Sequence, residues 1–130
     1  MKYRLLDILA CPICKNFPLE HYVIEESTYK DRVLEEEKPL CELYCGYLGK
    51  KIKDLKETPC EECFKKEVKT GALYCSNCGR WYPIIDEIPQ MLPDELRDKK
   101  SDISFLEKYK DQLPGKIVLS GKPYNLKVSL

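Results

Sequence analysis

Residues 71–92 read GALYCSNCGRWYPIIDEIPQML. A Cys75-x-x-Cys78-Gly79 turn at metal-ligand spacing runs straight into an apolar stretch interrupted by Pro83 and Pro89. A knuckle of this kind is closed and small, so the hydrophobic residues after it must cover something, in this chain or on another. The turn has a counterpart in Cys11-x-x-Cys14. Each such turn places two sulfurs on one side of a tight loop, and two turns complete a tetrahedral Cys₄ shell for Zn²⁺, with Zn–S near ~2.3 Å. Gly79 gives the backbone the freedom to aim amide groups at sulfur. In a reducing compartment, paired turns favour metal over four bare buried thiols. Iron is the rival ion, since rubredoxin knuckles read similarly and would make the chain an electron carrier. The long stretch 15–74 between the pairs and the apolar run after the second pair argue against that compact redox module.

The 130 residues allow one ordinary domain or two very small ones. With 34% charged residues and eight cysteines, a stapled core is expected rather than a large apolar one. Lys plus Arg and Asp plus Glu both number 22. Four thiolates on one Zn²⁺ add a net negative charge, so the metallated chain is acidic. The basic surplus that unaided nucleic-acid binding relies on is missing. MKYRLLDILACPIC lacks the apolar core of a signal peptide, and no stretch approaches the ~18 apolar residues of a membrane span. The expectation is a cytoplasmic protein without membrane contact, where thiols stay reduced.

The pattern predicts an α+β fold. Residues 1–30 and 71–130 form a small zinc-ribbon-like or knuckle β domain, and residues 31–70 form a mainly helical, cysteine-containing insertion. A C-terminal helix and an extended tail follow. MKYRLLDILA reads as a short helical turn with Leu5, Leu6 and Leu9 on one side. Strands are expected over 19–29, 72–74, 81–85 and 87–92, and 31–38 reads as a solvated connection or short helix. Cys41, Cys45, Leu48, Ile52 and Leu55 share one helical face, although Gly46 and Gly49 weaken that helix by ~1 kcal/mol each. Thr58, Pro59 and Glu61 have the form of a cap, a first-turn proline and a capping-box acid, predicting a helix over 59–69. A further helix is predicted over 102–112, capped by Ser101 or Asp102, with Phe105, Leu106 and Tyr109 inward. Pro114-Gly115 ends it, and the tail KIVLSGKPYNLKVSL is apolar enough to pack back as a strand or clamp.

Cys41, Cys45, Cys60 and Cys63 make a second set. Cys60 and Cys63 fall in the first turn of the predicted helix, where thiolates are favoured, and LYCG at 43–46 repeats the LYC of 73–75. Together they would build a second zinc module. A straight helix over 41–56 opposes this, because at ~1.5 Å rise per residue Cys45 would lie about 16 Å from the next helix. The alternatives are a helix broken at the glycines with zinc bound, disulfides of the kind found in hyperthermophile proteins, or free thiols.

The parts of an enzyme are missing. His21 is the lone histidine and reads as an ordinary strand residue. There is no phosphate-binding glycine loop or Ser–His–Asp pattern. A Cys₄ shell leaves metal no open position for water. Glu25-Glu26 and Glu35-Glu36-Glu37 read as solvated faces.

MKYRLLDILACPIC with FPLE, then GALYCSNCGRWYPIIDEIPQMLPDEL, resembles the small zinc-binding methyltransferase-activator family. Its members are non-catalytic subunits of tRNA, rRNA and release-factor methyltransferases. FLEKYKDQLPGKIVLSGKPYNL resembles the extension of archaeal members. The resemblance covers 1–20 and 71–130. It implies Cys11, Cys14, Cys75 and Cys78 as zinc ligands, in accord with the spacing. It also implies a heterodimer with an S-adenosylmethionine-dependent catalytic subunit, which alone would contact RNA. In the family, a strand after the second knuckle adds to the edge of the partner's sheet. That gives Ile84, Ile85, Ile88, Met91 and Leu92 a partner-binding role, with Trp81, Tyr82 and Ile84 also suited to an internal core. The four cysteines of the insertion lie outside the family pattern. A stand-alone zinc ribbon binding RNA or the transcription apparatus is the alternative function.

Overall fold

The structure is a computed structural model and describes residues 1–35 and 41–127. Its strands are β1 (Glu20–Thr28), β2 (Tyr44–Cys45), β3 (Lys50–Lys51), β4 (Lys66–Tyr74), β5 (Trp81–Ile85) and β6 (Ile88–Pro89). The helices are α1 (Cys60–Phe64), α2 (Lys99–Tyr109) and α3 (Gly115–Val118). The fold is α+β, as the sequence predicts. β1, β4, β5 and β6 form an antiparallel sheet in the order β1-β4-β5-β6, while β2 and β3 pair separately as a hairpin.

Side-chain alternation along the strands feeds two cores, one on each face of the sheet. Met1, Tyr3, Leu6, Leu19, Val68, Leu73, Tyr82 and Ile84 pack on one face together with Cys11 and Cys75. On the other face, Ala72 and Trp81 meet Phe105, Leu106, Leu113, Ile117 and Val118 of the C-terminal helices. The expected N-terminal turn is a 3-10 helix over Tyr3–Asp7, which points Tyr3 and Leu6 inward.

Helix α2 starts earlier than predicted because the Asp98 side chain caps it, accepting from the Ser101 amide at 3.2 Å. Asp102 is therefore free for another task. It lies buried against Arg97 at 2.8 Å, a charge contact whose alignment is not that of a hydrogen bond. Arg97 in turn lies over the Trp81 ring, 4.9 Å from its centre, and donates to the Trp81 carbonyl. The described part of the tail, through Lys127, packs back as a clamp, and residues 128–130 lie outside the described residues. Trp81 Nε1 donates to the Tyr124 carbonyl at 2.8 Å, and Gly121 passes so close to Trp81 that a Cβ there would stand 2.6 Å from the ring.

The insertion departs from the predicted mainly helical form. No helix spans 41–56. Gly49 takes φ +67°, a left-handed conformation that closes the β2-β3 turn, and its amide donates to the Cys45 carbonyl at 2.8 Å. Gly46 backs onto the N-terminal turn, where a Cβ would stand 2.5 Å from Leu6 Cδ1 and 2.7 Å from the Tyr3 carbonyl oxygen. The two glycines weighed only as helix weakeners are thus the positions the hairpin requires. The helix predicted over 59–69 ends at Phe64. From Lys66 the chain pairs with β1, Thr28↔Lys66 through Glu20↔Tyr74, and that ladder outweighs local propensity. Thr58 makes no helix cap, and Pro59 occupies that position. Asp31 is in a turn, residues 32–35 have no regular structure, and 36–38 of the expected 31–38 connection lie outside the described residues.

Gly46→Ala is expected to destabilise the metal-loaded protein by ~1–3 kcal/mol, because the backbone carbonyl of Tyr3 cannot swing away as a side chain would. Urea unfolding of both forms measures it; an unchanged midpoint would refute the close packing of hairpin against turn.

Candidate metal centre

Two loops of the same shape build the centre. In the first, the Lys15 amide donates to the Cys11 carbonyl at 2.9 Å and the Cys11 amide to the Asn16 carbonyl at 3.0 Å. In the second, the Gly79 amide donates to the Cys75 carbonyl at 2.9 Å and the Cys75 amide to the Arg80 carbonyl at 2.8 Å. The residue after each second cysteine is left-handed, Lys15 at φ +67° and Gly79 at φ +78°. The second loop joins β4 to β5, and the first leads into β1. Because Glu20 pairs with Tyr74 and Tyr74 with Trp81, both loops meet at one end of the sheet.

The Sγ atoms of Cys11, Cys14, Cys75 and Cys78 all lie within 4.8 Å of one another. Cys11 and Cys78 are separated by 3.7 Å, and Cys14 and Cys75 by 3.4 Å. A tetrahedron with metal–sulfur bonds of ~2.3 Å has edges of about 3.8 Å, so the four fit one ion with little adjustment. Cys11 and Cys75 are buried and Cys14 and Cys78 are half-buried. The Asn77 side chain and then the Asn16 amide hold the Cys14 thiol down at about 6, whereas burial pushes Cys75 up to about 12. Burial opposes ionisation of Cys11, but the amides of Cys14 and Ile13 and the Tyr82 hydroxyl outweigh it and lower its pKa. Amides aimed at sulfur are what a thiolate cluster needs around a cation. With all four positions taken by protein, the centre is built to hold structure rather than to activate water.

Three supporting residues escaped the sequence reading. Tyr82, alternating inward from β5, brings its hydroxyl to 3.3 Å from Cys11 Sγ. Arg80 holds Asp94 through two bonds, Nε to Oδ1 at 2.9 Å and a second nitrogen to Oδ2 at 2.8 Å, and so ties the second knuckle to the segment after β6. Lys15 occupies the left-handed position equivalent to Gly79, a correspondence visible when CPICKN is set beside CSNCGR.

Cys41, Cys45, Cys60 and Cys63 line one small pocket together. Burial pushes the Cys41 thiol up to about 11 and Cys63 up to about 12, and the neighbouring thiols add to both shifts. Among the described residues, only the first set brings its sulfurs within 4.8 Å. No disulfide joins any of the eight cysteines.

The apolar run divides. Ile84, grouped from sequence with the partner-facing residues, is completely buried on the metal side of the sheet, because it shares the phase of Tyr82. This is the internal-core place that the sequence allowed for it beside the partner-binding one. Ile85, Ile88 and Leu92 are 43%, 60% and 38% exposed, and Met91 is partly buried against the core. A two-residue turn, Asp86-Glu87, with φ of 49° and 69°, folds β6 back on β5. Its tip is anchored by the Glu87 amide on the Lys69 carbonyl at 3.0 Å and by Tyr29, whose hydroxyl donates to the Glu87 carboxylate.

A protein-family model described as Trm112p-like protein matches residues 2–87, a span containing both knuckles, the insertion and β5. No curated protein matches the chain.

Gly79→Ala is expected to cost ~1–2 kcal/mol through left-handed strain alone, since open space surrounds that position. Lys15→Gly removes the same strain and returns only ~0.5–1 kcal/mol of it as chain entropy, so stability should hold or rise. Thermal unfolding of the metal-loaded variants tests the pair; equal losses at both sites would refute the matching of the two loops.

Proposed function

The chain belongs to the Trm112p-like family of methyltransferase activators, and on that premise we propose that it is a zinc-bound, non-catalytic subunit of S-adenosylmethionine-dependent methyltransferases acting on tRNA, rRNA or translation factors. It binds, stabilises and activates the catalytic chain as a heterodimer. Zn²⁺ on Cys11, Cys14, Cys75 and Cys78 is its structural ion. The observation that carries the reading is the exposed apolar set Ile85, Ile88 and Leu92, at and just after the sheet edge formed by β6, with Ile85 and Ile88 at the end of β5 away from the knuckle. A short edge strand offers unpaired backbone groups, and the isoleucines offer surface for a partner to cover. Met91, partly buried against the metal-side core, belongs to the same proposed partner-binding segment.

RNA contact is made through the partner. Equal numbers of acidic and basic residues leave this chain no charge surplus with which to hold RNA alone. Among the described residues no helix is long and apolar enough to cross a membrane. The proposed place of work is the cytoplasm, where reduced thiols keep the Cys₄ set available to metal.

Ile88→Asp is expected to abolish co-purification with the cognate methyltransferase while zinc content is unchanged. Ile88 is exposed, so the fold loses nothing, but a carboxylate enclosed in the interface without a partner costs several kcal/mol, and ~1.4 kcal/mol is already tenfold in affinity. Co-expression with candidate methyltransferases and a tagged pull-down tests it. Wild-type yields for both Ile88→Asp and Ile85→Asp would refute this interface. The isolated chain should show no heat of S-adenosylmethionine binding in calorimetry, and a saturable signal would overturn the non-catalytic assignment.

A further inference from the structure

We propose that Cys41, Cys45, Cys60 and Cys63 form a second metal site, a closed Cys₄ shell for Zn²⁺ that holds the insertion together independently of the first centre. Two separate pieces of chain supply the ligands. Cys41 and Cys45 flank and enter the β2-β3 hairpin, and Cys60 and Cys63 lie one helical turn apart in α1, where the Cys63 amide donates to the Pro59 carbonyl at 2.9 Å. All four line a single pocket whose remaining wall includes Tyr3, Arg4, Tyr47 and Ile52. Its cavity of about 10 Å³ has room for one atom-sized guest and for no organic ligand. Cysteine is the soft donor that selects zinc among common cellular cations, and four of them satisfy its tetrahedral demand.

The burial pattern requires a staple here. Between residues 41 and 64 the buried residues are Cys45, Gly46 and Cys60 alone. A segment that hides two cysteines and a glycine has no hydrophobic core of its own with which to offset the entropy of ordering. Structural zinc supplies folding energy outright in such segments. The mounting is already fixed on the hairpin side. The Asp7 carboxylate accepts from the amides of Glu42, Leu43 and Tyr44 at 2.9, 2.7 and 2.7 Å, locking the stretch between Cys41 and Cys45 to the N-terminal turn. Arg4 in the pocket wall offers positive charge to a shell with four thiolates on one divalent ion.

The sulfurs stand wider than in the first centre. As a thiol, Cys60 turns aside to the Thr58 hydroxyl at 3.2 Å. Rotation about χ1 between staggered wells is the route by which an ion draws such side chains together, and each ligand gives up its proton on binding.

The test uses the full chain purified under reducing conditions. Native mass spectrometry and elemental analysis are expected to give about two zinc ions per chain, falling by half in the Cys60→Ser/Cys63→Ser variant. Should that variant fail to fold, alkylation mapping of the wild type decides the matter: Cys41, Cys45, Cys60 and Cys63 should resist alkylation until a chelator is added. About one zinc per chain with these four alkylated at once, disulfide-linked peptides among them, or a folded variant retaining the full zinc count would each overturn the site.

Discussion

Four sulfurs at one end of the sheet tie the entry into β1 to the connection between β4 and β5, and most of the structure is hung from that tie. Antiparallel pairing alone brings the loops near each other, since Glu20 faces Tyr74 and Tyr74 faces Trp81. A metal ion on the four sulfurs would add a few strong local contacts to that pairing. It would also hold the point where β5 begins, and hence which of its side chains face which way.

The phase of β5 then answers the question posed by its sequence. Trp81 goes to the helical face, where Arg97 covers it and the tail bonds its indole. Tyr82 and Ile84 go to the metal face, Tyr82 reaching Cys11 itself. The internal demand is met by Ile84. From Ile85 onward, the chain turns back through Asp86-Glu87 and its isoleucines are left outside. The apolar run is therefore two things in sequence, a core strand and then a surface. A single-residue shift in register would exchange the two roles.

What could be read from the sequence was what rests on local spacing. The cysteine pairs, the strands around Trp81 and the helix through Phe105 and Leu106 all follow from contacts between residues close along the chain. What could not be read depends on distant partners. Lys66–Lys69 looks helical by itself but becomes strand because β1 lies beside it. Cys41 to Leu55 has helical periodicity, yet Gly46 must admit Leu6, forty residues earlier in the chain's course through the core. Asp98 caps α2 ahead of Ser101 and Asp102, and Asp102 is instead buried against Arg97, which lies over the Trp81 ring. Asp86-Glu87 lacks the Asn-Gly signature of its turn, and its left-handed residues are held from outside by Lys69 and Tyr29. The phase of Ile84 is likewise set by the β4 ladder, where it faces Gly71.

A core closed by four converging cysteines has a further consequence for a chain whose family role is association. Folding by hydrophobic burial consumes the same side chains that a binding surface needs, so a small domain built that way must divide a short supply between its core and its partner. Here the core around the first centre closes with cysteines among its members, and Ile85, Ile88 and Leu92 can stay outside without cost to the fold. Exposed isoleucines on a free chain favour aggregation, a liability that a short edge strand limits: β6 offers only Ile88 and Pro89, and Pro89 has no amide hydrogen to donate. The edge is thus poor at pairing with copies of itself, while its apolar side chains remain available to a surface shaped to receive them.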